Sequence, residues 1–172
     1  KGLAEALNLQ LVQVPLIVSK DSGVNDMLDR DGSRTPIEFP AGLGLDKRIE
    51  AQIVQAATKW KRVALKQFDC KPGEGINTDM RAVRKDYFLD HDHSSYVDQW
   101  DWEQVICEST QRSLSTLKQT VETIYQAIKA TEQYVSASFG LRAFLPAKIT
   151  FVHSEELREM YPDFSAKQRE KA

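Results

Sequence analysis

Cysteine is scarce in this sequence. Cys70 and Cys107 are the only two, and neither sits in a C-x-x-C pair. Such spacing suggests neither a disulfide framework nor a zinc site; the plain reading is two reduced thiols in a cytoplasmic protein. Long apolar runs are missing too: none approaches the roughly 20 residues of a membrane span. The opening residues carry no secretory hydrophobic stretch. Basic charge is not in excess. The 23 Lys and Arg against 25 Asp and Glu give a formal net charge of −2, which argues against a dedicated nucleic-acid binder. Internal repeats and low-complexity tracts are absent. The first residue is Lys1 rather than Met, so a fragment is the expectation.

What remains is ordinary for a soluble globular protein: 172 residues, 41% hydrophobic and 28% charged. That length suits one domain with a real core. Residues 1–8 read as the tail of a helix. LQLVQVPLIVS, 9–19, is rich in Val, Leu and Ile and reads as a strand. Pro15 cannot donate to a ladder, which puts this strand at a sheet edge or an interface. Residues 20–35 are polar and turn-rich, a short strand is expected from Thr35 to Phe39, and 40–48 look like an exposed loop. Residues 49–53 alternate as a strand, and a helix follows on which Trp60, Ala64 and Leu65 share a face. PGEG at 72–75 is a turn. INTDMRAVRKD and SSYVDQWDWEQV then form two extended segments around DYFLDHDH, an antiparallel strand–loop–strand unit.

The strongest helix is 113–138. Leu114, Leu117, Val121, Ile124, Ile128 and Val135 make an apolar stripe, and Gly140 is a natural C-cap. Packing of this stripe against a sheet is expected. KITFVHS, 148–154, reads as a further strand. Ser154 can cap a helix ending before Pro162, and Ser165 with Gln168 forms a capping box for a last helix. The fold class is therefore α+β.

The densest chemistry lies in YVDQWDWEQV, 96–105. Strand alternation sorts it into an aromatic face, with Tyr96, Asp98, Trp100 and Trp102, and a polar face, with Gln99, Asp101 and Glu103. The aromatic face can pack under the 113–138 helix. The polar face is either simply wet, or buried and in need of partners or a polar ligand. TKWKR, 58–62, is an anion site or a solvated helix start. Arg81 and Arg84 are a carboxylate or phosphate clamp, or surface charge. His91 and His93 of DHDH invite a metal, yet no distant Cys or His cluster completes a ligand set. PGEG lacks the lysine of a phosphate loop.

Six strings occur in order: KWKR-x-AL, GEG-x-x-T-x-M-x-A-x-R, S-x-YVDQWDWE-x-V, TLK-x-TV-x-x-IY-x-AIKATE, FVHS-x-EL and YPD. Over nearly the whole chain this pattern resembles ammonia-dependent asparagine synthetase (aspartate–ammonia ligase). The resemblance implies a class II aminoacyl-tRNA synthetase-like fold, an antiparallel sheet flanked by helices, of which 1–172 is the N-terminal part of a single catalytic domain. The region around Pro15 resembles motif 1, at a homodimer interface. MRAVRKD to HSSYVDQWDWE resembles motif 2, which cradles ATP. The implied substrates are aspartate, ammonia and ATP with Mg²⁺, reacting through a β-aspartyl-adenylate. Implied catalytic residues are Arg84 and Asp26. Lys61, Gln99, Asp101 and Asp26 would bind substrate, and Arg84 and Ser94 the nucleotide. No metal ligand is implied in this chain. Three departures stand out. Gln55 and Ala56 occupy the family's usual His-Ser, Asn77 its usual Tyr, and the sequence reaches only about half a family member, short of the Gly-rich motif 3 and its arginine. Those departures keep a second reading open, a non-catalytic paralogue sensing aspartate or asparagine. A tRNA ligase is a third, though no basic patch or RNA module supports it.

Overall fold

The structure, a computed structural model, describes residues 2–29, 31–42, 44 and 48–172. It forms two compact units, Lys1–Ala127 and Ile128–Ala172. In the first unit α1 (Gly2–Ala6) leads into β1 (Leu9–Leu11) and β2 (Ile17–Ser19). One continuous strand was expected over 9–19; two short ones are found, in different sheets. Pro15 lies in the gap, where its missing N–H breaks no ladder.

β2, β3 (Glu38–Ala41) and β4 (Ile49–Ile53) form an antiparallel sheet in the order β2-β4-β3. Leu43, Leu45, Asp46 and Lys47 of the expected 40–48 loop lie outside the described residues. β1, β5 (Gly75–Val83) and β6 (Tyr96–Gln104) form the other sheet. β5 and β6 are the antiparallel pair expected from the sequence, in register from Gly75 opposite Gln104 to Val83 opposite Tyr96. β1 joins β5 in parallel, with Leu9 opposite Gly75. Here only glycine fits: a Cβ on Gly75 would overlap the Glu103 carbonyl oxygen and the Leu9 side chain.

α2 (Thr58–Gln67) lies over β5 and β6. Beneath it one core group joins Val18, Val54, Ala57, Met80 and Ala82, and another joins Val12, Ala64 and Ile76. Trp60 packs against both. β5 explains its place between them: Ile76, Thr78, Met80 and Ala82, at strand period two, are all at most 1% exposed.

α3 (Glu108–Gln111) precedes α4 (Leu114–Phe139), which ends at Gly140 with φ 66°. The long helix is where the stripe placed it, but no residue of α4 is buried. Trp100 also remains 37% exposed, so the expected cover of the aromatic face by this helix is not found. In the second unit 148–153 is irregular rather than a strand. α5 (Ser154–Met160) follows, and its N-cap is His153, not Ser154. His153 Nδ1 accepts from the Glu155 N–H at 3.2 Å, and the Glu156 carboxylate accepts from the His153 N–H at 3.1 Å. α6 (Ala166–Arg169) carries the expected Ser165–Gln168 capping box. Among the described residues no helix is long and apolar enough to cross a membrane.

Candidate functional site

Residues directly opposite in an antiparallel pair share a face. Ile76 faces Glu103, Thr78 faces Asp101 and Met80 faces Gln99. The polar row of β6 thus lies on the same side as the buried row of β5, the side that α2 covers. It is not a freely wet face: Asp101 and Glu103 are half-buried, and only Gln99 is exposed.

α2 supplies the opposing charge. Ala57, Lys61 and Ala64 follow the spacing that puts three residues on one helical face, and each is at most 1% exposed. The two alanines let the helix backbone approach the sheet, and Lys61 reaches out between them. Its ammonium pairs with the Asp101 carboxylate. An ammonium so deeply buried is sustainable only with such a partner. TKWKR is therefore not merely a solvated helix start. Lys59 and Arg62 do face outward: both are exposed, and Arg62 lies 3.9 Å from Glu103. Burial raises the Glu103 carboxyl above its usual range. Lys61 and Arg62 pull it back down, and Asp101 and Asp26 push it up again.

Arg84 stands just beyond the end of β5. Its Nε donates to the Gln55 backbone carbonyl at 3.1 Å, and its terminal nitrogen donates to Gln99 Oε1 at 3.4 Å. Arg81, on the other face, is exposed and lies 3.5 Å from Asp98. The two arginines of MRAVR hence point apart, and only Arg84 joins the site.

Asp26 reaches the start of α2. Its Oδ2 accepts from the backbone N–H of Thr58 at 2.6 Å and of Lys59 at 3.3 Å. Ala57, the N-cap by position, offers no side-chain acceptor, so Asp26 caps the helix that carries Lys61. Its neighbour Asn25 accepts from the Gln55 N–H at 3.0 Å and donates to the Ile53 carbonyl at 3.1 Å. Asn25 was not among the residues singled out from the sequence; a lone Asn in a turn-rich stretch carries no signal of a tie across thirty positions. Lys61, Asp101, Asp26, Gln99 and Arg84 converge on one region. Ser94 stays exposed two residues before β6, its hydroxyl accepting from the Tyr96 N–H at 3.2 Å.

Three buried polar atoms are without hydrogen-bond partners among the described residues: Gln55 Oε1, Asn77 Oδ1 and Thr78 Oγ1. Trp100 and Trp102 stand on the opposite face of β6, ring centroids 5.5 Å apart. In the DHDH loop His93 hydrogen-bonds Asp90 at 2.7 Å and holds that carboxyl below its usual range. Among the described residues no three His, Cys, Asp or Glu side chains are grouped to hold a metal ion.

Comparison with known proteins gives a consistent picture. The sequence profile of the aspartate-ammonia ligase family matches residues 1–172. An aspartate–ammonia ligase of Clostridium perfringens is 46% identical over 172 residues, 99% of this chain and 50% of that protein. One from Ruminiclostridium cellulolyticum is 45% identical over 99% of this chain and 49% of that protein. Another, from Bacteroides fragilis, is 44% identical over 99% of this chain and 48% of that protein. The chain spans about half the length of the curated relatives it matches.

Proposed function

This chain belongs to the aspartate-ammonia ligase family, and from that membership we propose that the protein containing it makes L-asparagine from L-aspartate, ammonia and ATP. One observation carries the reading for these residues: a buried Lys61 paired with Asp101, on the same face of β6 from which Gln99 meets Arg84.

The reaction has two steps. The β-carboxylate of aspartate attacks the α-phosphorus of ATP, and pyrophosphate leaves. Ammonia then attacks the β-carbonyl of the β-aspartyl-adenylate; AMP leaves and the nitrogen loses a proton. Arg84 lies against the reacting carboxylate and the α-phosphate, where negative charge gathers in the transition state. Gln55 and Gln99 fix its orientation. Lys61 holds a carboxylate of aspartate while remaining tied to Asp101, and Asp101 in turn receives the substrate's amino group. Gln99 orients the substrate side chain. Asp26 closes over the site from the loop after β2, and Ser94 approaches the nucleotide. The unpartnered Gln55 Oε1 and Thr78 Oγ1 support a polar occupant. Mg²⁺ would accompany the triphosphate. Among the described residues no three His, Cys, Asp or Glu side chains are grouped to hold it.

The same reading covers the assembly. Chain 1–172 is the N-terminal part of a class II synthetase-like catalytic domain, which the antiparallel β5–β6 pair and Arg84 support. A homodimer forms through the segment around Pro15. Support comes from Leu11, Leu16 and Ile17, 64%, 43% and 50% exposed, and from the cavity of about 630 Å³ lined by Leu11, Val12, Val14 and Leu16 among others. The enzyme works in the cytoplasm, where its ATP is.

The test is an assay on the full product of the reading frame that contains this chain. Expected are aspartate-dependent exchange of pyrophosphate into ATP, and AMP and asparagine in equal amounts once ammonia is added. Aspartate or asparagine binding without exchange would replace this reading with that of a sensing module, toward which Gln55, Ala56 and Asn77 point.

A further inference from the structure

Tyr87 lies in the loop between β5 and β6, and two guanidinium groups lie over its ring. Arg34 is 4.1 Å from the ring centroid, and Arg84 is 5.4 Å from it. Both are within the range of cation–π attraction. Arg84 is thereby held on three sides: the Gln55 carbonyl at 3.1 Å, Gln99 at 3.4 Å, and the ring. The ring is itself fixed from the segment between β2 and β3. Arg34 is anchored by Asp29 at 3.0 Å, and Asp29 also accepts from the Ser33 hydroxyl at 3.0 Å. Beside Tyr87, Asp86 accepts from the N–H and the hydroxyl of Thr35, at 3.0 and 3.3 Å.

We propose that Tyr87 is a positioning residue for Arg84, its ring face holding the guanidinium in the pose that meets Gln55 and Gln99. The inference rests on the role proposed above for Arg84. An arginine that stabilises a transition state must be aimed before the reaction, because a long side chain left free gives up that advantage as entropy. A flat ring limits its motion without competing for its hydrogen-bond donors. Arg34 and the Asp86–Thr35 bonds then tie the loop of Arg84 to the segment that follows Asp26. The ring face, and not the phenol oxygen, does the holding.

Two measurements on the full-length protein test this. The first is aspartate-dependent pyrophosphate exchange at saturating ATP and aspartate. Tyr87→Leu is expected to lower it roughly tenfold with the KM for aspartate little changed, and Tyr87→Phe to restore it to within about twofold of the parent. The second is the ¹⁵N–¹H signal of the Arg84 Nε–H, identified by its loss in Arg84→Lys. Tyr87→Phe leaves that signal in place; Tyr87→Leu moves it and speeds its exchange with water. Parent-level exchange in Tyr87→Leu, or an Arg84 signal that does not move, overturns the proposal. If the parent itself shows no exchange, the functional reading falls, and the Arg84 signal still decides whether Tyr87 positions it.

Discussion

A buried ammonium is tolerated only beside a carboxylate, and that condition ties Lys61 to Asp101. The site is built around this pair, so its chemistry is set by single side chains. Arg84 is the most exacting. We expect Arg84→Ala to abolish aspartate-dependent pyrophosphate exchange while circular dichroism stays that of the parent; exchange near the parent rate would refute the assigned role. Glu103 makes a pH prediction. Burial raises its carboxyl above the ordinary range, so over that window the folded protein keeps a proton that the unfolded chain has lost. Stability therefore falls as pH rises from about 4 towards the raised value. Glu103→Gln lacks this effect. Its urea midpoint should gain on the parent's between about pH 4 and pH 7; a constant difference would count against the argument. Much of this was legible in the sequence. Alternation along YVDQWDWE put Gln99, Asp101 and Glu103 on one face. Composition could not say that the face is covered, because cover depends on Ala57 and Ala64 letting α2 approach. Tyr87 was hidden too: an aromatic in a polar loop gives no sign of the arginines that flank it.

Elements hold these residues in place through contacts that cross long stretches of chain. α2 has no side-chain cap of its own and borrows Asp26. A cap is worth about 1 kcal/mol, so the structural role of Asp26 and the chemical role proposed for it can be separated by substitution. Asp26→Asn keeps an acceptor for the Thr58 N–H and should retain most of the stability while losing activity. Asp26→Ala should lose activity and, in addition, about 1 kcal/mol in urea unfolding. Equal stability in the two variants would remove the capping role. Elements with strong local signals were readable from the sequence: α2, α4, the β5–β6 pair and the α6 capping box all stand where pattern put them. Elements that depend on a partner were not. The 148–153 stretch has strand composition, but apolar alternation makes a strand only where another chain segment offers a ladder. Likewise 9–19 reads as one strand because composition is blind to which sheet each half joins.

At the scale of the whole molecule, large apolar side chains stand open along α4, among them Leu114 at 66%, Leu117 at 59% and Tyr134 at 72% exposure. Exposed apolar surface of this kind favours association, and the chain covers about half of its relatives' length. The isolated 172-residue chain is therefore expected to self-associate in light scattering and to form no AMP from ATP and aspartate; aspartate-dependent turnover by it would sink the view that its site is partial. The parallel pairing of β1 with β5 also bears on how the chain is made. Leu9 meets Gly75 across more than sixty residues, whereas β5 and β6 close a short loop at little entropic cost. At translation speeds of about 5–20 residues per second, β1 leaves the ribosome roughly 3 to 13 seconds before its partner exists. Through that interval Leu9 and Leu11 have no ladder to enter. The hairpin bearing Arg84, Gln99 and Asp101 can zip as soon as it emerges, and β1, made well before it, must wait for that hairpin's β5 to find its place.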